Sequence, residues 1–537
     1  MLMTRRATVS LVGSTLMLPW RAFAQGSAAT SALDPYHRMR WARGAEGQRR
    51  ADLGDGRFLN PVLAGDHADP ALLRDGDDYY LTFSSMDACP GILIWHSLDL
   101  VNWRPVGPAL RVPLGSVWAP DLIKHAGRYY CYLPARNPTR RSIHVIHADR
   151  IEGPWSDPLD LNLPQHIDPA HVVDLDGTRW LYLSGGDRVR LNIDGLTTAG
   201  PIEHVYDPWH YPQDWVVEGF SPEGPKLVRR GTYWYLVTAV GGTAGPPTGH
   251  MVIVARSRAL AGPWENCPFN PVVRTRTAAE KWWSRGHATL FEGPQGRWWM
   301  IYHGYENGYW TLGRQTLLEP VEWDRDDWPH PTGGDLSRSI RKPIDLPQQV
   351  HGMPLSDDFR TDRLGMAWSF YDPSPDESRR LSRNNGILQL VAKGTNAGDC
   401  SPLTCIAGDH AYRFSVELER DADAEGGLLL FYNRRLHAGL GLRKGGLVMH
   451  RYGLQRNAGS VTGAGDRIQI QITNDRNIVT LHTRPDSTSP WQKFGVQMEV
   501  SGYHHNVAYD FLSLRPALYA TGSGSVRFRN FQYEALA

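Results

Sequence analysis

The feature that most constrains the fold is a glycine turn followed by paired aromatic residues, which recurs five times along the chain. The turns are spaced 51, 50, 54 and 65 residues apart and lie at Gly76, Gly127, Gly177, Gly231 and Gly296. A unit of about 50 residues that holds several short strands is the repeat of a propeller blade. The repeat therefore predicts a five-bladed β-propeller over residues 58–345, with a single large sandwich as the alternative.

The character of the sequence changes after Pro354, where apolar and polar residues alternate with period two. Examples are residues 414–419, 468–472 and 526–531. Such alternation is typical of half-buried strands in an antiparallel sandwich. We therefore predict an all-β chain in which a linker at 346–354 joins the propeller to a β-sandwich at 355–537.

The N-terminus has the pattern of a targeting segment. Arg5 and Arg6 precede an apolar run at 7–20, and Ala22-Phe23-Ala24 matches an A-x-A cleavage site. The paired arginines predict a twin-arginine signal peptide over residues 1–24, with a Sec signal as the alternative. We expect export to the periplasm or the medium of a bacterium, and a polar arm over the surface at 25–57. No later segment is long enough to span a membrane, so no membrane partner is expected.

Charge and cysteine content exclude some classes of function. The 57 basic and 56 acidic residues nearly balance, which gives no electrostatic argument for a nucleic-acid partner. The five cysteines lack the spacing of metal ligands. Cys400 and Cys405 are close enough in sequence to close a small disulfide loop, and the sequence leaves open whether they are bridged or free. The 20 tryptophans and 22 tyrosines suit stacking on sugar rings, although most of them are expected to fill strand cores.

Carboxylates recur at matched places in the predicted blades. Asp69 precedes Pro70 shortly before the first aromatic turn, and Asp168 precedes Pro169 in the same relation to the third. Glu223 occupies the equivalent place in the fourth blade. Proline disfavours the helical region for its predecessor, so Asp69 is expected to be extended. If the three acids converge on the central axis, they can form one site, whereas acids that only accept backbone hydrogen bonds at strand entrances would have no chemical role.

A convergent set of acids suits glycoside cleavage, which needs two carboxyl groups in different states. One carboxylate must be ionised to activate water, and the other group must stay protonated to reach the leaving oxygen. A third carboxylate near the acid would raise its pKa by like-charge repulsion.

The propeller resembles glycoside hydrolase family 43, the β-xylosidase and α-L-arabinofuranosidase family. The motifs that carry the resemblance occur in the family's order: Asn60-Pro61-Val62-Leu63, His67-Ala68-Asp69-Pro70, Trp118-Ala119-Pro120-Asp121, Asp168-Pro169, Glu223-Gly224-Pro225, Gly286-His287-Ala288 and Leu312-Gly313-Arg314-Gln315-Thr316. The later region is similar, more loosely, to the concanavalin-A-like jelly-roll sandwich that follows the propeller in the xylosidase branch.

The resemblance implies an inverting, exo-acting hydrolase. Asp69 would be the general base, Glu223 the general acid, and Asp168 the residue that orients the acid and tunes its pKa. For the sugar site it implies Arg314 in the terminal subsite, His287 near the pocket centre and Trp118 as a wall. No cofactor is required, but some family members hold a calcium ion that such a histidine approaches through water. Asp121 is expected to support a strand entrance.

Some residues depart from the family's pattern. Met86-Asp87-Ala88-Cys89 replaces an aromatic stretch, and Ile167 stands before Asp168 where an aromatic residue is frequent. Both changes affect the expected pocket wall and leave the sugar open. Glu218 lies five residues before Glu223 and is the alternative acid; Glu223 is preferred because Gly-Pro follows it.

The sequence is compatible with three functions. The first is an exo-glycosidase that releases xylose or arabinofuranose from plant cell-wall oligosaccharides. The second is an enzyme of other specificity on the same site, such as a galactofuranosidase or exo-galactanase. The third is a non-catalytic carbohydrate-binding propeller, which would require one of the three acids to be missing. The sequence leaves the oligomeric state open.

Overall fold

The propeller is present as five antiparallel sheets in a computed structural model, which describes residues 40–536 apart from 348, 422, 462 and 464. The predicted signal peptide and residues 25–39 of the arm lie outside the described residues. Blade 1 comprises the strands Ala71–Asp75, Asp78–Thr82, Gly91–Ser97 and Arg104–Leu110. Blade 2 comprises Asp121–His125, Arg128–Arg136, Arg141–Ala148 and Leu159–Asp160, and the short strand Ser116–Val117 also pairs in this sheet. Blade 3 comprises Ala170–Val173, Arg179–Leu183, Asp187–Leu191 and Thr198–His204.

Blades 4 and 5 repeat the same up-and-down order. Blade 4 comprises Glu223–Arg230, Tyr233–Val240, Met251–Ser257 and Glu265–Asn266, and the short strand Val273–Arg274 also pairs in this sheet. Blade 5 comprises Trp282–Glu292, Trp298–Glu306, Gln315–Trp323 and Pro329–Pro331. The predicted glycines stand between the first and second strands of every blade, and each has a positive φ, between 58° and 86°. Glycine adopts this left-handed conformation without steric cost, which explains the repeat.

The ring is closed by the ends of the propeller segment. Arg57–Phe58 pairs with Ile340–Arg341, and Leu63 bridges to Thr316 in blade 5. The Asn60 side chain donates to Leu318 O at 2.9 Å, so the start of the segment is hydrogen-bonded to the last blade.

The predicted sandwich consists of two antiparallel sheets around one apolar core. One sheet has the order Leu454–Asn457, Gly446–Arg451, His437–Arg443, Asp423–Phe431, Arg515–Ser523, Leu403–Cys405, Trp368–Tyr371 and Ala88–Cys89. The other has the order Leu381–Asn384, Ile387–Val391, Ser525–Ala535, Ala411–Arg420, Arg467–Asp475, Ile478–Arg484 and Gln492–Glu499. The only α-helix in the described residues is His505–Ala508, and no helix there is long and apolar enough to cross a bilayer.

Blade 1 and the sandwich share a strand. Ala88–Cys89 leaves blade 1 and pairs with Trp368–Tyr371 at the edge of the larger sandwich sheet. Met86 belongs to the sandwich core. The stretch that departs from the family's aromatic pattern therefore forms the seam between the two domains, and its side chains meet the sandwich.

Within the described part of the arm, residues 40–57, Arg49 lies between the two domains, whereas the sequence predicted that the arm lies over the surface. Arg49 is buried: its Nη1 is 2.9 Å from Glu306 of blade 5, and its backbone N–H donates to Asp409 of the sandwich. The guanidinium is paired with Glu306 and also donates through Nε to Gly408 O at 2.7 Å, which offsets the cost of removing the cation from water. All five cysteines are buried and free, so Cys400 and Cys405 are not bridged.

Candidate active site

Asp69 and Asp168 stand immediately before the innermost strands of blades 1 and 3. Asp69 was expected to be extended, but its φ angle is 57°, and Asp168 and His287 in blade 5 have φ angles of 54° and 59°. A left-handed backbone costs roughly 1–2 kcal/mol at a non-glycine residue, although aspartate tolerates it better than most. Strained residues of this kind cluster at functional sites, and these three recur at one level of the propeller.

The Asp69 carboxylate is almost fully buried among cationic and polar partners. Its Oδ1 lies 2.8 Å from Arg314 Nη1 and 3.4 Å from His287 Nδ1, and Ser84 Oγ donates to Oδ2. Burial raises the pKa of Asp69, but Arg314 and the neighbouring histidines outweigh it and hold the pKa well below its usual value. Asp69 is therefore ionised across the neutral and weakly acidic range.

Three buried histidines surround this carboxylate. His303 Nδ1 is 3.1 Å from both the backbone nitrogen and Oδ1 of Asp69, and its ring is 5.2 Å from that of His250. Burial lowers the pKa of His287 to about 3 and also lowers the pKa of His303 and His250. The three rings are therefore neutral at neutral pH, and Arg314 supplies the positive charge beside Asp69.

Asp168 is equally buried but has no cation in direct contact among the described groups. Its Oδ2 accepts a hydrogen bond from Gly224 N–H at 3.0 Å, which ties it to the residue after Glu223. Burial and the ionised Asp69 raise the pKa of Asp168. Gly224 has a φ of 62°, and a Cβ there would lie 2.9 Å from the His287 ring, so only glycine fits between blades 4 and 5.

Glu223 begins the innermost strand of blade 4, and one fifth of its side chain remains exposed. Its Oε1 is 3.7 Å from His250 Nε2. Burial, Asp168 and Asp69 together raise the pKa of Glu223 well above its usual value. The three predicted acids are thus brought close enough for their charges to interact.

Glu218, the alternative acid, is engaged differently. Its Oε2 accepts the backbone N–H of Ala244 at 2.7 Å, and its side chain contacts Gly242. Glu218 is exposed and contributes only a minor repulsion to the pKa of Glu223. A carboxylate that holds a loop in this way is poorly placed to donate a proton.

Asp121 lies at the entrance of blade 2 and pairs with a lysine of blade 4. Lys226 Nζ is 2.6 Å from its Oδ1 and donates to Pro120 O at 3.1 Å, while Oδ2 accepts His171 N–H of blade 3. Blades 2 and 4 are not neighbours in the ring, so this buried pair spans its centre. The contacts are those of a supporting residue.

Arg314 connects the site to the sandwich. Its guanidinium carbon lies 5.0 Å from the centre of the Phe511 ring, within the range of a cation–π contact. Arg314 Nη2 is buried and has no hydrogen-bond partner within the described part of the chain. A buried donor without a partner is costly, so Nη2 is free to bind a substrate hydroxyl.

Trp118 is partly buried and packs against the sandwich core, where its Nε1 donates to Ser116 Oγ at 3.1 Å. These contacts are at the seam, and its role as a sugar wall stays a prediction.

Calcium prefers oxygen ligands, whereas His287 is surrounded by ring nitrogens and by Asp69, which is already paired with Arg314. No cluster of three metal-ligating acids, histidines or cysteines occurs among residues 40–536 where they are described. The donors do not fit direct calcium binding.

Sequence reasoning missed several residues of this site. Ser84, His250, His303 and Phe511 lie in no motif, and they reach the acids only through the fold. The one local signal is that Gly286 precedes His287: a Cβ at Gly286 would lie 2.2 Å from the His250 ring. That glycine marks a place where another side chain fills the space.

A propeller whose centre holds three interacting carboxyl groups, followed by a jelly-roll sandwich, defines a class of glycosidases, and comparison with known proteins identifies the family. The family model "Glycosyl hydrolases family 43" matches residues 58–329, and "Beta xylosidase C-terminal Concanavalin A-like domain" matches residues 356–534. The chain therefore belongs to glycoside hydrolase family 43 and is a glycosidase.

Named relatives have related activities. The chain is 31% identical to a non-reducing end α-L-arabinofuranosidase of Bacteroides ovatus, over 64% of this chain and 66% of that protein. It is 32% identical to a xylan 1,3-β-xylosidase of a Vibrio species, over 62% and 68%. It superposes on the family 43 protein BlXynB of Bacillus licheniformis with a TM-score of 0.80 and 26% identity, covering 89% of this chain and all of that one (100%).

Proposed function

We propose that this chain is an exo-acting, inverting hydrolase that releases xylose, arabinofuranose or both from plant cell-wall oligosaccharides. The observation that carries the proposal is the opposite environment of two buried acids that lie close enough to interact: Arg314 beside Asp69 holds the pKa of that carboxyl low, whereas burial and the neighbouring Asp168 raise the pKa of Glu223. A carboxylate and a carboxylic acid within one site are the two states that glycoside hydrolysis requires.

Asp69 is the general base in this proposal. It removes a proton from a water molecule as that water attacks the anomeric carbon of the terminal sugar. Arg314 stabilises the ionised form through Oδ1 and Ser84 donates to Oδ2, so the carboxylate is held in one orientation. The water oxygen forms the new bond on the face opposite the leaving group, which inverts the anomeric configuration.

Glu223 is the general acid. It donates its proton to the glycosidic oxygen as the bond to the anomeric carbon breaks, so the leaving sugar departs as a neutral alcohol. Asp168 acts on Glu223 in two ways: it accepts the N–H of Gly224, and its negative charge, once formed, opposes ionisation of the acid. Proton release from the two groups is coupled and belongs to the pair.

The substrate class rests on the relatives, whose names specify arabinofuranosidase and β-xylosidase activities. The first test is hydrolysis of nitrophenyl β-xyloside, α-arabinofuranoside and β-galactofuranoside by the wild type beside Glu223→Ala. Activity on a pentoside that falls by about 10²- to 10⁴-fold in the variant would support the proposal. Activity on the galactofuranoside alone would assign another specificity, and wild-type inactivity on all three and on xylobiose would contradict the proposal.

Export completes the proposal, supported by Arg5 and Arg6, the apolar run and Ala22-Phe23-Ala24. Replacing both arginines with lysine should retain the precursor in the cytoplasm if the twin-arginine route is used. Release of a mature chain from this variant into the periplasm would favour the Sec route.

A further inference from the structure

A hairpin loop in blade 4, residues 241–249, joins the proposed base to the sandwich. It connects Tyr233–Val240 with Met251–Ser257. On the propeller side it is held by Ser284, whose backbone and side chain donate to Pro247 O at 2.7 Å and Pro246 O at 3.2 Å. Glu218 caps it through Ala244 N–H.

The tip of the loop reaches the base through one histidine. Thr243 is buried, and its Oγ1 lies 3.2 Å from His303 Nε2. His303 Nδ1 in turn lies 3.1 Å from Asp69, from both its backbone nitrogen and its Oδ1. Thr243 is therefore two contacts away from the atom that would take a proton from water.

The same loop is held from outside by the sandwich. The Asn506 side chain accepts the N–H of Gly245 at 2.9 Å and donates to Gly245 O at 3.0 Å. Both bonds are made by one side-chain amide to the N–H and C=O of one residue, as a neighbouring strand would make them. Asn506 lies 261 residues from Gly245 in the chain, so only the docked sandwich can supply it.

We propose that Asn506 is a positioning residue for the general base, acting through the 241–249 loop, Thr243 and His303. This inference rests on the proposed function of Asp69. It assigns the sandwich a part in catalysis that goes beyond covering the pocket. The consequence is a base whose protonation depends on a hydrogen bond made by the second domain.

The chemical link is the proton on His303. If Nε2–H donates to Thr243 Oγ1, Nδ1 accepts the backbone N–H of Asp69. If the Thr243 hydroxyl donates to Nε2, Nδ1–H donates to Asp69 Oδ1 and stabilises its ionised form. The position of the Thr243 hydroxyl therefore sets whether His303 is a partner of the carboxylate.

The charged and titratable groups around this pair are fixed by the rest of the propeller. Those that act on Asp69 or His303 are Arg314, His287, His250, Asp66, Asp168 and Glu223. None of them belongs to the 241–249 loop or to the sandwich. A change at Asn506 has two routes to Asp69: through Thr243 and His303, or through the neighbouring His505, which stacks on Phe511 beside Arg314. The Thr243 variants below separate the first route from the second.

The test replaces Asn506 with alanine and compares it with Asn477→Ala. Asn477 controls for the docking of the two domains, because it also joins the sandwich to the propeller with two side-chain bonds, to Thr311 Oγ1 at 2.8 Å and Gly308 O at 3.4 Å, but makes none to the 241–249 loop. We expect Asn506→Ala to lower kcat/KM by about 3- to 10-fold, a modest loss because both bonds are exposed. The acid limb of the pH profile should move to higher pH, and Asn477→Ala should leave that limb in place.

Two further variants isolate the route. Thr243→Val removes the hydroxyl and keeps the shape, so it should move the acid limb in the same direction, while Thr243→Ser should restore it. In the Thr243→Val background, Asn506→Ala should have no further effect on the limb, because both act through one contact. Additive shifts in the double variant would overturn the proposal.

A readout without substrate separates this inference from the proposed function. In ¹⁵N-histidine-labelled protein, Asn506→Ala should change the nitrogen shifts of His303, identified by their loss in His303→Gln, and Asn477→Ala should not. Unchanged His303 shifts would overturn the positioning role even in an active enzyme. Changed shifts in a protein that hydrolyses no glycoside would leave the contact route standing and contradict the proposed function.

Discussion

Blades 1 and 3 both begin with Asp-Pro-Ala, and their aspartates have nearly the same backbone and burial. Asp69 and Asp168 have φ angles of 57° and 54° and are 5% and 4% exposed. Their pKa values nevertheless move in opposite directions, because Arg314 contacts Asp69 whereas Asp168 accepts an amide N–H and faces the ionised Asp69. Matched positions therefore give matched geometry, and the partners across the axis set the charge.

The largest effect on activity should come from replacing Asp69, the ionised aspartate. Asp69→Asn keeps the size of the side chain but cannot accept a proton from water, so kcat/KM should fall by about 10³- to 10⁴-fold. Steady-state hydrolysis of the active nitrophenyl pentoside measures it. Asp75→Asn, at the other end of the same strand and paired with Lys124, is the control and should change activity by less than about 2-fold. A loss below about 10-fold for Asp69→Asn would remove it as the base.

The contrast should weaken when the cation beside Asp69 is removed. Arg314→Met takes away the positive charge 2.8 Å from Oδ1, so the pKa of Asp69 should rise towards its burial-dominated value. The acid limb of the kcat/KM profile should move to higher pH, with a loss of about 10²-fold near neutral pH. Arg314→Lys should restore the limb in part, since it keeps the positive charge but loses the planar guanidinium that places Nη1 on Oδ1. An unmoved limb in Arg314→Met would show that other groups hold Asp69 ionised.

Replacing Asp168, the aspartate whose pKa is raised, should affect the alkaline limb of the pH–rate profile. Asp168→Asn keeps an oxygen for Gly224 N–H but removes the negative charge that Asp168 acquires as the pH rises, so the pKa of Glu223 should fall. The alkaline limb should then move to lower pH, and kcat should fall by about 10-fold. A pH–rate series from acid to alkaline conditions measures both. If only the acid limb of the profile moves, Asp168 acts on Asp69 and not on Glu223, the general acid.

The smallest effect is on stability. Burial raises the pKa of Glu223 in the folded state, so its ionisation opposes folding above its unfolded value near 4.5. Glu223→Gln should therefore raise Tm by about 1–3 °C at neutral and alkaline pH. The difference should vanish below about pH 4, where both states bind the proton. A Tm that is lower for Glu223→Gln at every pH would contradict the raised pKa.

The repeat in the sequence was sufficient for the propeller, because each glycine turn has a local cause in its positive φ. It also placed Asp69 and Asp168 at one level, since both precede the first strand of a blade. The extended backbone expected at Asp69 was wrong, because the fold imposes a left-handed turn there, as it does at Asp168. Steric preference is local, and it was overridden by the need to turn the chain into the central strand.

Partners that come from distant segments could not be predicted. His303 lies 234 residues from Asp69, and Asn506 lies 261 residues from Gly245. The position of Arg49 between the domains also depends on carboxylates of blade 5 and the sandwich. Nothing in the local pattern of a strand states which residue of another blade will face it.

The central claim is that two matched aspartates hold opposite charge states, and infrared spectroscopy of carboxyl-labelled protein tests it most directly. At about pH 5, difference spectra would compare ¹³C-aspartate-labelled wild type with Asp69→Asn and Asp168→Asn. We predict that Asp69→Asn removes an ionised carboxylate band, and that Asp168→Asn removes the carbonyl band of a protonated acid. The reverse assignment, or loss of a carboxylate band in both variants, would contradict the account.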